Sequence, residues 1–316
     1  MHNFSQIMQY RIQLYQSVRD FFQTRNVAEV ETPILSPYGS TDVHIDSFIT
    51  DWAGQPLYLQ TSPEFAMKRL LANGIGDCFQ LCKVFRNEPH SKRHRAEFTL
   101  LEWYRLGFSM YDLITEVGEL IKSLCSNWQH LPIEIISYSQ AFAAFNIDPH
   151  QDSLPTLQEK MIAHSGYTPK LVDNRDEWLD FFLVTHIEKH LGKDKLTFLT
   201  HYPASMAALA EKVTDADGNA VAERFELYYQ GIELANGFYE LTDAEEQRSR
   251  FIADNQQRGE LGKPAVAIDK DFLAALQRGL PPCSGVAVGV DRLLMLKLGL
   301  SDINELFPAS TCGVHH

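Results

Sequence analysis

Three stretches of the chain concentrate side chains that can handle phosphate, purine and ammonium groups. In FRNEPHSKRHRAEFTLLEWY, residues 85–104, Arg86 closes one predicted strand and Phe98 opens the next. A guanidinium, the Glu88 carboxylate, a basic loop and an aromatic face therefore converge over one patch of sheet. Arginine offers a planar fork to phosphate oxygens and a phenyl ring offers a face to a purine, which makes this a nucleotide site by type. Surface ion pairs on a hairpin are the plain alternative. In FELYYQGIELANGFYELTD, residues 225–243, Glu226 and Glu233 fall on successive predicted strands, and no cation nearby in sequence easily neutralises either one. Paired carboxylates with phosphate oxygens are the usual way to hold Mg²⁺; ordinary edge-strand charge is the alternative. Glu240, just past Asn236, Gly237 and Phe238, stands where a buried carboxylate can receive a cationic substrate. In GVAVGVDRL, residues 285–293, small residues let a ligand approach a strand backbone, and Arg292 opens a helix that Asp291 is expected to cap. That places a second guanidinium where it can stack on a base opposite Phe98.

Other constellations carry less. His186 and His190 share one helical face at a metal-capable spacing, but no further ligands accompany them, so a structural or solvated pair is expected. Cys78 and Cys82 share a strand face and read as core rather than zinc ligands. The chain has no GxxxxGK[ST] loop, no GxGxxG after a strand, no GxSxG elbow and no HExxH.

The elements that must position these groups are legible in the hydrophobic pattern. Helical spacing runs over 5–22, strands are expected at 27–33 and 57–61, and Pro63 falls at the favoured first turn of a helix. Residues 78–85 and 98–104 form strong strands joined by a long polar loop. Helices follow at 110–128, 139–145 and 176–191, with short helices in an insertion around 150–170. Strands are expected at 196–201, 224–229 and 231–234, helices at 243–257 and 269–279, then a strand from 285 feeding the helix from 291. Strands outnumber parallel crossovers, and the hairpins predict an α+β fold: an antiparallel sheet flanked by helices. No repeat, low-complexity segment or linker divides the chain, so one domain over 1–316 is expected, with a helical insertion at about 139–195.

Composition fits that reading. Over 316 residues, 45% hydrophobic and 22% charged content excludes a disordered tail, a fibrous rod and a membrane bundle. No run approaches eighteen apolar residues, and the first residues lack a secretory pattern, so a cytoplasmic protein without membrane contact is expected. Five scattered cysteines, Cys78, Cys82, Cys125, Cys283 and Cys312, are read as reduced. A net charge of -13 disfavours gripping long nucleic acid, because phosphate neutralisation supplies most of that affinity. The densest basic patch is Lys92 to Arg95.

Taken in order, VAEVETP, FRNE with EFTLLEWY, and GVAVGVDRL resemble motifs 1, 2 and 3 of the class II aminoacyl-tRNA synthetases. FELYYQGIELANGFYELTD is similar in detail to the lysyl-tRNA synthetase subgroup. The matches span residues 27–299, and three ordered motifs plus a subgroup segment are far more specific than any one alone. The resemblance implies a large antiparallel sheet and a homodimer formed through motif 1. It implies that Arg86 binds the ATP α-phosphate and the amino acid carboxylate, and that Glu88 lies on the adenine side. His94 falls near the outer phosphates, Phe98 stacks adenine, and Arg292 is the second ATP arginine. It assigns Glu226 and Glu233 to Mg²⁺. In the amino acid pocket it implies Glu64 and Glu102 at the substrate amino group, Asn236 near its carboxylate, and Tyr104 with Glu240 at the ε-ammonium. An amino acid carboxylate attacking the ATP α-phosphorus needs positioning and positive charge rather than a proton-shuttling base.

Two features point away from tRNA charging. Motif 1 begins at Val27, leaving no room for an anticodon-reading barrel before it, so no anticodon-type tRNA binding is expected. Ala235 and Ala287, the latter two residues after Gly285, replace glycines of the lysyl pattern. Each is expected to add a methyl beside the amino acid and so to favour a displaced or isomeric lysine. The combination resembles truncated lysyl-tRNA synthetase paralogues that attach (R)-β-lysine to a lysine side chain of translation elongation factor P. Arg95 and Ala96 depart from the usual Asn-Pro, Pro89 follows Glu88 where a small or acidic residue is common, and Lys92 to Arg95 are expected to help dock the acceptor. A core delivering lysine to a small molecule or to tRNA is the enzyme alternative. A non-catalytic regulatory paralogue is the other, disfavoured because Arg86, Arg292, Glu226 and Glu233 are all present. The tail 307–316 is expected to be mobile.

Overall fold

A computed structural model describes residues 3–307. Helix α1 (Phe4–Gln23) starts at a capping box in which Asn3 and Gln6 satisfy each other's backbone amides, and its apolar stripe Ile7, Leu14, Val18 and Phe22 is buried. Short strands β1 (Ala28–Glu29) and β2 (Leu35–Ser36) follow, then β3 (Ile49–Trp52), β4 (Gln55–Leu59) and α2 (Glu64–Ala72). The hairpin of β5 (Cys78–Phe85) and β6 (Glu97–Leu106) is antiparallel, as expected, and leads into α3 (Met110–Leu124). After β7 (Ile133–Ser137) come α4 (Tyr138–Ala143), α5 (Leu154–Ser165) and α6 (Arg175–Phe182). Strands β8 (Leu196–Pro203), β9 (Lys212–Thr214), β10 (Ala220–Tyr229) and β11 (Ile232–Tyr239) precede α7 (Ala244–Glu260) and α8 (Lys270–Gly279). Strand β12 (Cys283–Gly289) and α9 (Val290–Lys297) complete the order.

Nine strands form the main sheet in the order β1-β5-β6-β12-β11-β10-β8-β7, with β9 paired to β10; β2, β4 and β3 form a small second sheet. The interior pairs are antiparallel, whereas β1–β5 and β7–β8 at the two ends are parallel. Period-two alternation gives the main sheet two chemically distinct faces. Leu101, Trp103, Phe225, Leu227, Ala235, Val286 and Val288 join the core against α1, α3 and α9. Glu102, Tyr104, Glu226, Tyr228, Asn236 and Ala287 alternate with them and point the other way. The helical insertion has its own core around Tyr138, Phe142, Trp178 and Phe182.

Several expectations are corrected in detail. Pro63 is the residue before α2 rather than its first residue. The helix expected over 176–191 is interrupted: after α6 the chain widens into a π turn at Leu183–Ile187 and tightens at Glu188–His190. Gly289, not Asp291, precedes α9; Asp291 is buried, accepting from the Thr99 amide at 2.7 Å and pairing with Arg11 at 2.6 Å. Phe307 belongs to the packed structure: the guanidinium of Arg95 lies 4.2 Å from its ring centroid and that of Arg11 5.3 Å. The rest of the expected mobile tail, Cys312 included, lies outside the described residues.

Candidate active site

The polar face of the sheet opens into a cavity of about 1140 Å³, walled by α2, the 36–47 loop, α6 and α7. Of the residues singled out in the sequence, Glu64, Arg86, Glu88, His94, Phe98, Glu226, Glu233, Asn236, Ala287 and Arg292 line it. Glu102, Tyr104 and Glu240 are buried beside it, at 2%, 2% and 1% exposure.

At the end formed by the β5–β6 hairpin, Arg86 stands with its guanidinium 5.3 Å from the Phe98 ring centroid. Its Nε donates to the Thr61 carbonyl at 3.4 Å, and no carboxylate pairs with it among the described residues. A half-buried, uncommitted guanidinium beside an aromatic face suits an anionic, purine-bearing ligand. Arg292 is committed: it donates to Glu233 Oε2 at 3.1 Å, to the Arg93 carbonyl at 3.3 Å, and lies 2.8 Å from His94 Nε2. Burial, helped by Arg292, Arg86 and Arg93, pushes His94 down to about 4, so its ring is neutral near pH 7. Nε2 then accepts from Arg292 while Nδ1 donates to Ser91 Oγ at 2.9 Å. Arg292 thus ties the 87–96 loop to the sheet while lining the same cavity as Phe98. Arg95 donates to Asn304 at 2.7 Å over the Phe307 ring, and Arg93 to the Gly231 carbonyl at 3.2 Å. These contacts tie the loop to the rest of the protein, while Arg93 and Lys92 remain exposed.

The expectation that Glu226 and Glu233 lack neighbouring cations is overturned. Alternation places Arg224 on the same face as Glu226, at 2.5 Å, and Tyr202 and Tyr228 each donate to Glu226 at 2.6 Å. Glu233 on β11 pairs with Arg292 at the start of α9. Glu188, from the insertion, lies with Oε1 3.2 Å from the same Tyr228 hydroxyl and is pushed up to about 7 by burial and by Glu226 and Glu233. Two carboxylates on adjacent strands facing a cavity fit a hard cation that takes its other ligands from phosphate and water. No cluster of three metal-capable side chains occurs among the described residues, so an all-protein cage is not offered. His186 stacks on Phe182, with centroids 4.6 Å apart, and the Cys78 and Cys82 thiols are pushed up to about 12 by burial; neither pair gathers a third metal-capable side chain among the described residues.

The opposite end collects buried carboxylates. Ser62 Oγ donates to Glu102 Oε2 at 2.7 Å and Tyr104 to Glu102 Oε1 at 2.8 Å. Lys68, 1% exposed, places Nζ 2.7 Å from Glu64 and 2.5 Å from Glu240. The ammonium that meets Glu240 in this structure is therefore internal, although Glu240 Oε1 has no hydrogen-bond partner. Burial raises Glu102 and Glu240 to about 8, with Glu64 adding to both and Lys68 opposing the shift at Glu240. Gly285 is required here: a Cβ would lie 2.3 Å from the Tyr104 ring and 2.5 Å from Glu240 Oε1. Ala287, paired in register with both Glu102 and Asn236, puts its methyl on the cavity side. Ala235 does not: it packs in the core on the other face, so its expected place beside the substrate is corrected.

Sequence reasoning missed Lys68, Arg224, Glu188, Tyr202 and Tyr228. Two of these had a signal, since Glu64 and Lys68 are spaced i,i+4 on a helix and Arg224 and Glu226 i,i+2 on a strand. Tyr202 and Glu188 reach the site only through tertiary packing.

Residues 1–311 match the model of the tRNA synthetases class II (D, K and N) family. The chain is 49% identical over 309 residues to the elongation factor P–(R)-β-lysine ligase of Avibacterium paragallinarum, covering 95% of this chain and 94% of that one. It is 47% identical over 305 residues to the ligase of the same name from Haemophilus ducreyi, covering 94% and 91%. With the Klebsiella pneumoniae (strain 342) ligase it shares 47% over 299 residues, covering 92% and 90%.

Proposed function

We propose, for a chain that belongs to the class II tRNA synthetase family of the D, K and N type, that it is an ATP-dependent ligase which activates (R)-β-lysine and transfers it to a lysine side chain of translation elongation factor P. The observation that carries the substrate class is the trio of half-buried Glu64 and buried Glu102 and Glu240 at one end of the cavity whose other end holds the uncommitted Arg86 and Phe98. Carboxylates there receive ammonium groups, and Arg86 receives phosphate and carboxylate oxygens. In the first step a carboxylate oxygen attacks the α-phosphorus, an acyl–phosphate bond forms, and pyrophosphate leaves. In the second, the neutral amine of the acceptor lysine attacks the acyl carbon, AMP leaves, and the amine proton ends in solvent. Arg86 offsets charge building on the phosphoryl oxygens, Phe98 supports the base, and the loop held by His94 and Arg292 covers the phosphates. When bound, Mg²⁺ would be held by Glu226 and Glu233 and would neutralise phosphate charge.

The chain is read as one catalytic domain with a helical insertion, acting as a cytoplasmic homodimer. Exposed Ile49 and Trp52 on the small sheet and Ile12 on α1 provide apolar surface for a second copy. Among the described residues no helix is long and apolar enough to cross a membrane. The test is a mass shift on purified elongation factor P incubated with the protein, ATP, Mg²⁺ and either (R)-β-lysine or L-α-lysine, with lysine tRNA as parallel acceptor. A lysine-sized addition to the protein, larger with the β isomer, is expected. Adenylate formed without protein transfer, or transfer to tRNA instead, would refute the acceptor.

A further inference from the structure

Lys68 is the charged group at the amino acid end to which the proposed reaction gives no role. It projects from α2 into the carboxylate trio, bridging Glu64 Oε1 at 2.7 Å and Glu240 Oε2 at 2.5 Å. The groups facing it are Glu64 on α2, Glu102 on β6, Glu240 after β11, Cys283 on β12, and the Phe272 ring of α8 with its centroid 6.0 Å away; Tyr104 on β6 and Cys78 on β5 stand beside those carboxylates, and Asp77 is paired with Arg105. Burial raises Tyr104, Cys78 and Cys283, which stay uncharged at neutral pH.

The three carboxylates of Glu64, Glu102 and Glu240, set against the one Lys68 ammonium, leave a net charge of −2 when all are ionised. Buried charges persist only when compensated, so an empty pocket takes up protons and a filled one takes up cations. We propose that Lys68 is a positioning residue that sets the charge count: by holding one oxygen of Glu64 and one of Glu240, it leaves a pocket short of two positive charges, the number a diamino acid brings and a monoamino acid does not. This rests on the substrate class proposed above. The unpartnered Glu240 Oε1 and the cavity-facing Glu64 are where the incoming ammonium groups are received, and the protons they displace leave Glu102 and Glu240.

The count has a direct readout. Glu102 and Glu240 are held at about 8 in the ligand-free pocket. Binding of a diamino acid should therefore expel nearly two protons from the carboxylates at pH 7 and only about 0.2 from them at pH 9, once the protons that the ligand's own amino groups take up on binding are subtracted using its free titration curve. Titration calorimetry of the full-length protein with (R)-β-lysine or L-lysine, in buffers of differing ionisation enthalpy, counts them; norleucine, with one ammonium, should release no more than about one. In Lys68→Met the carboxylates lose their cation and bind protons more tightly, so release at pH 9 should rise by at least about 0.5. The KM for the diamino acid should rise about tenfold or more while the KM for ATP stays within about twofold. The double variant Lys68→Met/Glu64→Gln restores the deficit of two and removes a buried pair whole, and should return the pH 9 count to the wild-type value. Wild-type binding of a diamino acid without proton release at pH 7 would overturn the proposal, as would Lys68→Met with wild-type counts at both pH values. Wild-type protein that neither binds nor activates any lysine isomer would instead refute the substrate class.

Discussion

Replacing Arg86 by alanine separates chemistry from folding more cleanly than any other change in the site. In the ligand-free protein its guanidinium makes one long hydrogen bond, 3.4 Å to the Thr61 carbonyl, and one face contact with Phe98 at 5.3 Å. Both are weak, so Arg86→Ala should cost about 0.5–1 kcal/mol of stability, a midpoint shift of a few degrees at most. The same side chain is the uncommitted cation of the cavity, and deleting one preorganised donor at a developing oxyanion costs about 10²–10³ in rate. That corresponds to about 2.7–4 kcal/mol of transition-state stabilisation. ATP–pyrophosphate exchange at saturating (R)-β-lysine measures the step directly, and thermal melting measures the fold. Arg86→Lys keeps a charge without the planar fork and should fall between the two. Exchange within about threefold of wild type in a folded Arg86→Ala protein would remove Arg86 from the reaction.

Other substitutions probe the remaining groups. Ala287→Gly removes the cavity-side methyl and should improve L-α-lysine relative to (R)-β-lysine by about 5–100-fold in kcat/KM, whereas Ala235→Gly, in the core, should cost about 1 kcal/mol of stability and leave isomer preference unchanged. Glu233→Gln should raise the Mg²⁺ concentration needed for half-maximal exchange several-fold with little change in the KM for lysine; an unchanged Mg²⁺ titration would refute its role as a ligand. Because Glu102 and Glu240 are raised from 4.5 to about 8, the folded ligand-free chain binds more protons than the unfolded one between those values. Their contribution to stability is therefore greatest at low pH and is lost as pH rises toward 8. Urea midpoints should fall between pH 6 and 8, and Glu102→Gln should flatten that slope.

Much of this site could be read from residue order because its groups sit on regular elements. The β5–β6 hairpin has uninterrupted apolar alternation on both sides of a polar loop, which places Arg86 and Phe98 together without any tertiary information. Strands 35–36, 49–52, 133–137 and 212–214 were not legible: two are only two or three residues long, and the exposed 49–52 strand and the edge strand 133–137 lack a clear buried alternation. Ala235 shows a different failure. A one-residue difference decides which face of a strand a methyl occupies, and the β10–β11 register shifts at Leu227/Tyr228, so facing had to be seen rather than counted. Lys68 was hidden because a lysine on an amphipathic helix normally belongs to solvent; its i,i+4 pairing with Glu64 could be counted, but only the meeting of α2 with the end of β11 brings the second carboxylate, Glu240, and buries it.

The position of β12 in the sheet bears on how the chain is made. The strand formed nearly last in sequence, residues 283–289, lies between β6 and β11. During synthesis the β5–β6 hairpin and the β8–β10–β11 segment must therefore wait as separate half-sheets, each with an open hydrogen-bonding edge. Unpaired edges of this kind are the surfaces through which nascent chains stick to one another. No competent enzyme exists before the final strand inserts, because that strand carries Gly285 and Ala287 and delivers Arg292 with α9. A nascent chain stalled upstream of it is thus both inactive and adhesive, and chaperone demand should peak in the interval before β12 emerges.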